Sequence, residues 1–163
     1  MKTSRHRLRQ IAGYALLEAL VAVVVASVGF IGAAHLQTLG MKLNTSSQLR
    51  QKAVLLTHQM TDRVRANRVG FGTGAYDNPS VGSLSCLSSG CSPAALAVAD
   101  MTEWSNDIAG QLPGGSGVVC VDSTPDDGTA AVPACDGVGS VLAVKVWWTD
   151  TVGASRFVTV VRP

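Results

Sequence analysis

The first strong pattern in the sequence is an uninterrupted apolar run. Residues 19–34 contain no charged side chain, and Ser27 is their only polar one. A helix that starts at Tyr14 and continues through Ala34 would be about 30 Å long, which matches the hydrocarbon core of a bilayer. Four basic residues precede it: Lys2, Arg5, Arg7 and Arg9. The pattern predicts a single membrane-spanning helix with a cytoplasmic N-terminus, because basic flanks stay on the cytoplasmic side.

A helical pattern continues beyond the apolar run. Small or apolar side chains recur at steps of three or four residues, which is the spacing of one helix face. They are Leu36, Leu39, Leu43, Ser46, Leu49, Ala53, Leu56, Met60 and Val64. No proline occurs between Tyr14 and Asn67 to interrupt a helix. We therefore predict one long helix, half of it in lipid and half amphipathic, whose apolar stripe packs on a globular head.

Residues 70–163 show the mixed pattern of a small α+β head. Glycine and serine are frequent in residues 70–92 and predict a loop. Ser92-Pro93 predicts a helix start, because serine caps helices well and proline fits the first turn, and the helix should end at Pro113. Three strand-like segments follow: 117–122, 141–148 and 156–161. They predict an antiparallel meander of three or four strands.

The middle strand-like segment alternates most clearly. One face should present Leu142, Val144, Val146 and Trp148, and the other Val141, Ala143, Lys145 and Trp147. The predicted fold class is thus α+β, with a long N-terminal helix packed on a small antiparallel sheet.

Charge is sorted along the chain. Residues 35–69 have a net charge of +5, whereas residues 70–163 have a net charge of −6. Arg63, Arg65 and Arg68 lie near the predicted helix end, where cations are favourable. Because no aromatic residue lies among them, we expect a solvated or subunit-facing basic patch rather than a nucleic-acid site.

Two cleavage sites are compatible with the N-terminal region. A cut after Ala34, at a small-x-small site, would remove the apolar run as a secretory signal. A cut after Gly13 would leave it attached. Glu18, at the head of the hydrophobic region, and the continuing helical pattern favour the second cut. The predicted organisation is a basic leader (1–13), a membrane half-helix (14–34), an amphipathic half-helix (35–69) and the head (70–163).

The residues around Gly13 resemble a known processing signal. Gly13-Tyr14-Ala15-Leu16-Leu17-Glu18 is similar to the type III signal of type IV pilins and type II secretion pseudopilins, with Tyr14 where phenylalanine is commoner. Two later segments, 51–68 and 100–114, are similar to minor pilins of the type IV pilus modification protein PilV family. The resemblance implies a type IV pilin-like fold.

The resemblance also implies a function in pilus assembly, and so in twitching motility or adhesion. Prepilin peptidase would cut between Gly13 and Tyr14 and methylate the Tyr14 amine, and Glu18 would set the register between subunits. The implied partners are other minor pilins, the major pilin and the inner-membrane assembly platform. The implied location is the bacterial inner membrane, single-pass with a periplasmic head, and later the pilus outside the cell.

Four cysteines lie in the head: Cys86, Cys91, Cys120 and Cys135. Export makes disulfides the default. Of the three possible pairings we favour Cys86–Cys91 with Cys120–Cys135, because each closes a local loop.

The sequence provides no support for a metal, a cofactor or catalysis. No C-x-x-C pair is present to suggest zinc. Asp122, Asp126, Asp127 and Asp136 do not have the spacing of a calcium loop, and we expect solvated turn acids. No catalytic motif occurs, so we expect no enzyme. Two alternatives to a minor pilin stay open: a type II secretion pseudopilin, and a signal-anchored or secreted periplasmic binding domain.

Overall fold

The computed structural model describes residues 8–162, with side chains from Tyr14 to Arg162. Residues 1–7 of the predicted leader lie outside the described residues, and so do the surroundings of Gly13 at the predicted cut. Two compact units are present, Met1–Asn44 (the N-terminal unit) and Thr45–Pro163 (the C-terminal unit). The elements in chain order are α1 (Leu8–Ala66), α2 (Arg68–Gly72), α3 (Cys86–Ser89), α4 (Pro93–Gln111), β1 (Ser116–Val121), β2 (Leu142–Asp150) and β3 (Gly153–Val161).

The three strands form one antiparallel sheet in the order β1-β2-β3. Val119 of β1 pairs with Val144 of β2, and Val146 of β2 pairs with Phe157 of β3. The predicted α+β combination of a long apolar N-terminal helix and a small antiparallel sheet is confirmed. β3 begins at Gly153, three residues before the predicted start, because the β2–β3 turn is tight and Gly153 adopts a φ of 124° there.

The main core of the C-terminal unit lies between α1, α4 and one face of the sheet. Its largest fully buried members include Leu56, Met60, Val64, Trp104, Ile108, Leu112, Val144 and Val146. The predicted helix start is confirmed, since the Ser92 side chain accepts a hydrogen bond from the Ala95 N–H at 3.2 Å. Of the two faces that the alternation of β2 separates, the one with Leu142, Val144, Val146 and Trp148 packs here.

The predicted apolar stripe of α1 packs only in part. Ala53, Leu56, Met60 and Val64 are buried and Leu49 is half-buried. Leu36, Leu39 and Leu43 are exposed and belong to the N-terminal unit, so the buried part of the stripe is shorter than predicted. The spacing of apolar residues is the same in both units, so it does not indicate at which residue the helix becomes part of a buried core.

Two short helices interrupt the predicted pattern: α2 spans the end of the predicted amphipathic half-helix and the start of the predicted loop, and α3 lies within that loop. Asn67 starts α2, because its side-chain oxygen accepts a hydrogen bond from the Gly70 N–H at 3.1 Å. Its amide group donates to the Pro93 carbonyl at 2.7 Å and so holds the junction next to the start of α4. α3 lies inside the Cys86–Cys91 loop. Both helices are too short to show a period in the sequence.

Trp104 is the centre of the contact between α4, α1 and β1. It is fully buried, and its indole N–H donates to the Leu56 carbonyl of α1 at 2.8 Å. Gly117 of β1 makes room for the ring, since a Cβ there would lie 2.6 Å from Trp104 Cη2 and 2.6 Å from Ile108 Cδ1. β1 approaches α4 this closely only because residue 117 has no side chain.

We expect Gly117→Ala to destabilise the C-terminal unit by about 1–3 kcal/mol, because the added methyl overpacks a filled core. The measurement is urea unfolding of the full chain in an uncharged detergent, followed by tryptophan fluorescence. The matched control is Gly110→Ala in α4, where a Cβ meets nothing within 4 Å. That control should be stabilising by roughly 0.5–1 kcal/mol. Equal effects of the two substitutions would contradict the close approach at Gly117.

Candidate functional site

The N-terminal unit presents an apolar helical surface. Every described side chain from Tyr14 to Asn44 is exposed in the isolated chain, and Tyr14 itself is 80% exposed. Among the described residues, Tyr14–Ala66 is the helix long and apolar enough to cross a membrane, with a mean hydropathy of 2.3 in its most apolar window. Length and composition are thus compatible with the predicted single membrane span.

Glu18 is the single acid on this surface. It lies one helical turn from Tyr14, and its neighbours at three- and four-residue steps are Tyr14, Ala15, Val21 and Ala22. None of those side chains offers a positive charge. A carboxylate in this position is inexpensive in water but costly in lipid or in an apolar helix bundle unless it gains a counter-charge.

A polar network fixes the end of α1 to α4 in the C-terminal unit. One nitrogen of Arg63 lies 2.6 Å from a Glu103 oxygen and 3.2 Å from an Asp100 oxygen. The Tyr76 hydroxyl donates to the other Asp100 oxygen and accepts from the Asn67 amide at 3.3 Å. Arg63 is therefore a structural residue, and the prediction that it belongs to a solvated basic patch is wrong.

The surroundings of this network shift two pKa values. Burial and the hydrogen bond to Asp100 raise the pKa of the Tyr76 hydroxyl, so it stays protonated. Burial lowers the pKa of the Arg63 guanidinium, but its hydrogen bonds to Glu103 and Asp100 outweigh this, and the net pKa is raised. The surroundings thus favour a protonated Tyr76 hydroxyl and a charged Arg63 guanidinium.

Lys145 forms a second polar cluster, on the opposite face of the sheet. Lys145 and Asp122 are both fully buried, and the ammonium lies 2.5 Å from an Asp122 oxygen. Asp127 contacts it through a side-chain oxygen at 3.1 Å and its carbonyl at 3.3 Å, and the Pro133 carbonyl lies at 2.9 Å. The prediction that these acids are solvated is wrong for Asp122. Its carboxylate faces a lysine of the same chain.

The loop between β1 and β2 covers this second face of the sheet. Its anchors include Lys145 and also Arg156 of β3, which donates to the Gly128 carbonyl at 3.0 Å and to the Asp126 carbonyl. Hydrogen bonds from Thr124 and Lys145 lower the pKa of Asp127. Hydrogen bonds from the Ser123 hydroxyl and from the Val138 and Ser123 N–H groups lower that of Asp136. Both carboxylates are thus favoured in the charged state.

Two disulfides close loops of the C-terminal unit. Cys86 is joined to Cys91 and Cys120 to Cys135, which is the pairing that local loop closure favours. The second bond ties the β1–β2 loop to β1 beside Val118 and Trp147, which are both buried. The loop therefore acts as the second layer over the sheet.

A basic cleft of about 340 Å³ lies on the outer surface of the C-terminal unit. It is lined by Arg65, Arg68, Phe71, Gly72 and Arg162. Arg65 and Arg68 stay exposed, as predicted for a basic patch, and the fold adds Arg162 and Phe71 from other elements. Sequence spacing alone gave no signal for that combination.

The comparisons with known proteins give no further guide to function. No family model, curated protein or solved structure matches this chain.

Sequence reasoning missed the buried role of Lys145, although a signal was present. A lysine interrupts a strand that is otherwise apolar on both faces, and a loop with four acids precedes that strand. Such a lysine must either end the buried part of the strand or find a carboxylate, and here it finds Asp122.

We expect Lys145→Met to lower the free energy of unfolding by about 3–5 kcal/mol, because Asp122 is left as a buried charge without its partner. The double variant Lys145→Met with Asp122→Leu should recover most of that loss. Urea unfolding measures both, and Lys52→Met, an exposed lysine of α1, is the control. A loss below about 1 kcal/mol in the single variant would contradict a buried ion pair.

Proposed function

We propose that this chain is a minor pilin that acts in type IV pilus assembly, with a type IV pilin-like fold. The observation on which the proposal depends is the apolar stretch of α1 that follows Gly13, residues 14–34, which has Glu18 as its single acid. Its side chains are all exposed in the isolated chain, so lipid or neighbouring subunits must cover them. A fibre subunit has its apolar helix in lipid before assembly and among the helices of neighbouring subunits after assembly.

The chemistry of processing supports the same proposal. A cut between Gly13 and Tyr14 by prepilin peptidase would remove the basic leader and create an ammonium at Tyr14, which the peptidase then methylates. A methylated secondary amine keeps its positive charge at neutral pH. The new charge would lie one helical turn before Glu18 of the same chain.

The pairing of these charges gives a mechanism for assembly. A carboxylate buried without a partner costs several kcal/mol, whereas one that meets a neighbour's ammonium is compensated. Each incoming subunit would therefore be held at the axial position where its ammonium reaches a neighbour's Glu18. The platform, the other minor pilins and the major pilin are the proposed partners.

The disulfides of the C-terminal unit favour a location outside the cytoplasm. Two disulfides stabilise it, and such bonds persist in oxidising compartments. A type II secretion pseudopilin would share every one of these features. The loss of twitching in a deletion strain, with enzyme export unchanged, would separate the pilus subunit from the pseudopilin.

We expect the mature protein to begin at N-methyl-tyrosine, residue 14. Mass spectrometry of its N-terminal peptide from the membrane fraction measures this, and cells that lack prepilin peptidase provide the control. A start at His35 would show secretion with loss of the apolar helix. An intact N-terminus in normal cells would show a plain membrane anchor. Either result would contradict the proposed function.

We expect Glu18→Ala to be processed normally yet to be absent from sheared pilus fractions, because the subunit loses the charge that fixes its register. Glu18→Gln should fail in the same way, since it keeps the side-chain shape without the charge. Ser27→Ala removes another polar side chain of the same helix and should assemble normally. Normal incorporation of both Glu18 variants would refute the register mechanism.

A further inference from the structure

The basic cleft on the C-terminal unit combines side chains from three parts of the fold. Arg65 comes from α1, Arg68 and Phe71 from α2, and Arg162 follows the end of β3. The C-terminal unit is otherwise rich in acids, since nine of the chain's eleven acids lie after residue 69. Three guanidinium groups around one cleft thus concentrate positive charge in a unit whose acidic residues outnumber its basic ones.

These three arginines are largely free to bind something else. Arg65 has an acid at 3.9 Å, Asp62, but both side chains are mostly exposed, so the pair is weak. Within residues 14–162, neither Arg68 nor Arg162 has an ion-pair partner. By contrast, Arg63 and Arg156 are used inside the fold. Among the described residues, the cleft arginines make no comparable contact that a ligand would have to break.

Phe71 gives the cleft an apolar wall. The residue is half-buried, and its contact with the main core holds the ring in place on the side away from the cleft. Gly72 beside it leaves open space, because a Cβ built there meets nothing within 4 Å. The aromatic residue that the basic run lacks in the sequence is therefore supplied by the next helix.

We propose that this cleft binds a phosphate ester, with the guanidinium groups on the phosphate and Phe71 against the group esterified to it. Arginine matches phosphate through paired hydrogen bonds. A phosphate monoester has three terminal acceptor oxygens and close to two charges, and the successive diesters of a strand each add one charge. Either can therefore engage several arginines, whereas one carboxylate neutralises only one. The aromatic wall favours a planar group such as a nucleobase, which stacks on aromatic rings. This proposal does not depend on assembly into a fibre.

The test uses the full chain in an uncharged detergent and three probes: inorganic phosphate, thymidine monophosphate and an oligothymidylate strand. Calorimetry measures the first two, and fluorescence anisotropy the third. We expect Arg68→Gln and Arg162→Gln each to weaken binding of all three probes by roughly tenfold or more. Phe71→Leu should weaken the two nucleotide probes by about fivefold and leave inorganic phosphate nearly unchanged.

The matched control is Arg50→Gln, an exposed arginine of α1 outside the cleft, which should bind like the parent chain. Near-ultraviolet circular dichroism of the tryptophans verifies that each variant is folded. If the oligothymidylate strand binds in a cleft-dependent way, the phosphate ester belongs to a nucleic acid. If only thymidine monophosphate binds, the ligand is a free nucleotide. Binding of no probe, or equal loss in Arg50→Gln, overturns the proposal. Tight binding of polyglutamate that phosphate does not displace also overturns it, in favour of an acidic protein partner.

Discussion

The C-terminal unit depends on one constraint: its central strand is buried on both faces. A three-stranded sheet of this size exposes one face to water unless a second layer covers it. α1 and α4 cover one face, and the disulfide-closed loop between β1 and β2 covers the other. That loop has few apolar side chains to bury, so it is held by polar contacts instead. Lys145 projects from β2 and takes four oxygens of the loop, including the buried carboxylate of Asp122.

The geometry of the helix end explains why neighbouring basic residues have different roles. Successive residues of an α-helix are rotated by about 100°, so Arg63 and Arg65 point to nearly opposite sides. Arg63 faces α4 and finds Asp100 and Glu103, whereas Arg65 faces outward. Asn67 then ends α1 and starts α2, which moves Arg68 to the same surface as Arg65. A cluster that looks uniform in the sequence is thus divided into a structural residue and an exposed pair.

Whether a feature of the fold or of the cleft could be predicted depends on how far apart in the sequence the interacting residues lie. The start of α4 depends on Ser92 and Pro93, and the sheet on local alternation, so both were visible in the sequence. The Cys120–Cys135 bond could be favoured because it closes a short loop. The partner of Lys145 could not be predicted, because it depends on how the β1–β2 loop folds over the sheet. The cleft was equally hidden, because Arg162 is distant in sequence from Arg65 and meets it only through the packing of β3.

The N-terminal unit presents the opposite problem to the C-terminal unit, because its apolar surface is exposed rather than covered. Lipid covers such a surface without selectivity, and so would any apolar bundle of helices. Glu18 introduces selectivity, because a carboxylate is tolerated in an apolar environment only with a counter-charge. In the proposed function the cut after Gly13 creates that counter-charge and removes the basic leader in the same step. Uncut chains would carry the carboxylate without its partner, and assembly would thereby be restricted to processed subunits.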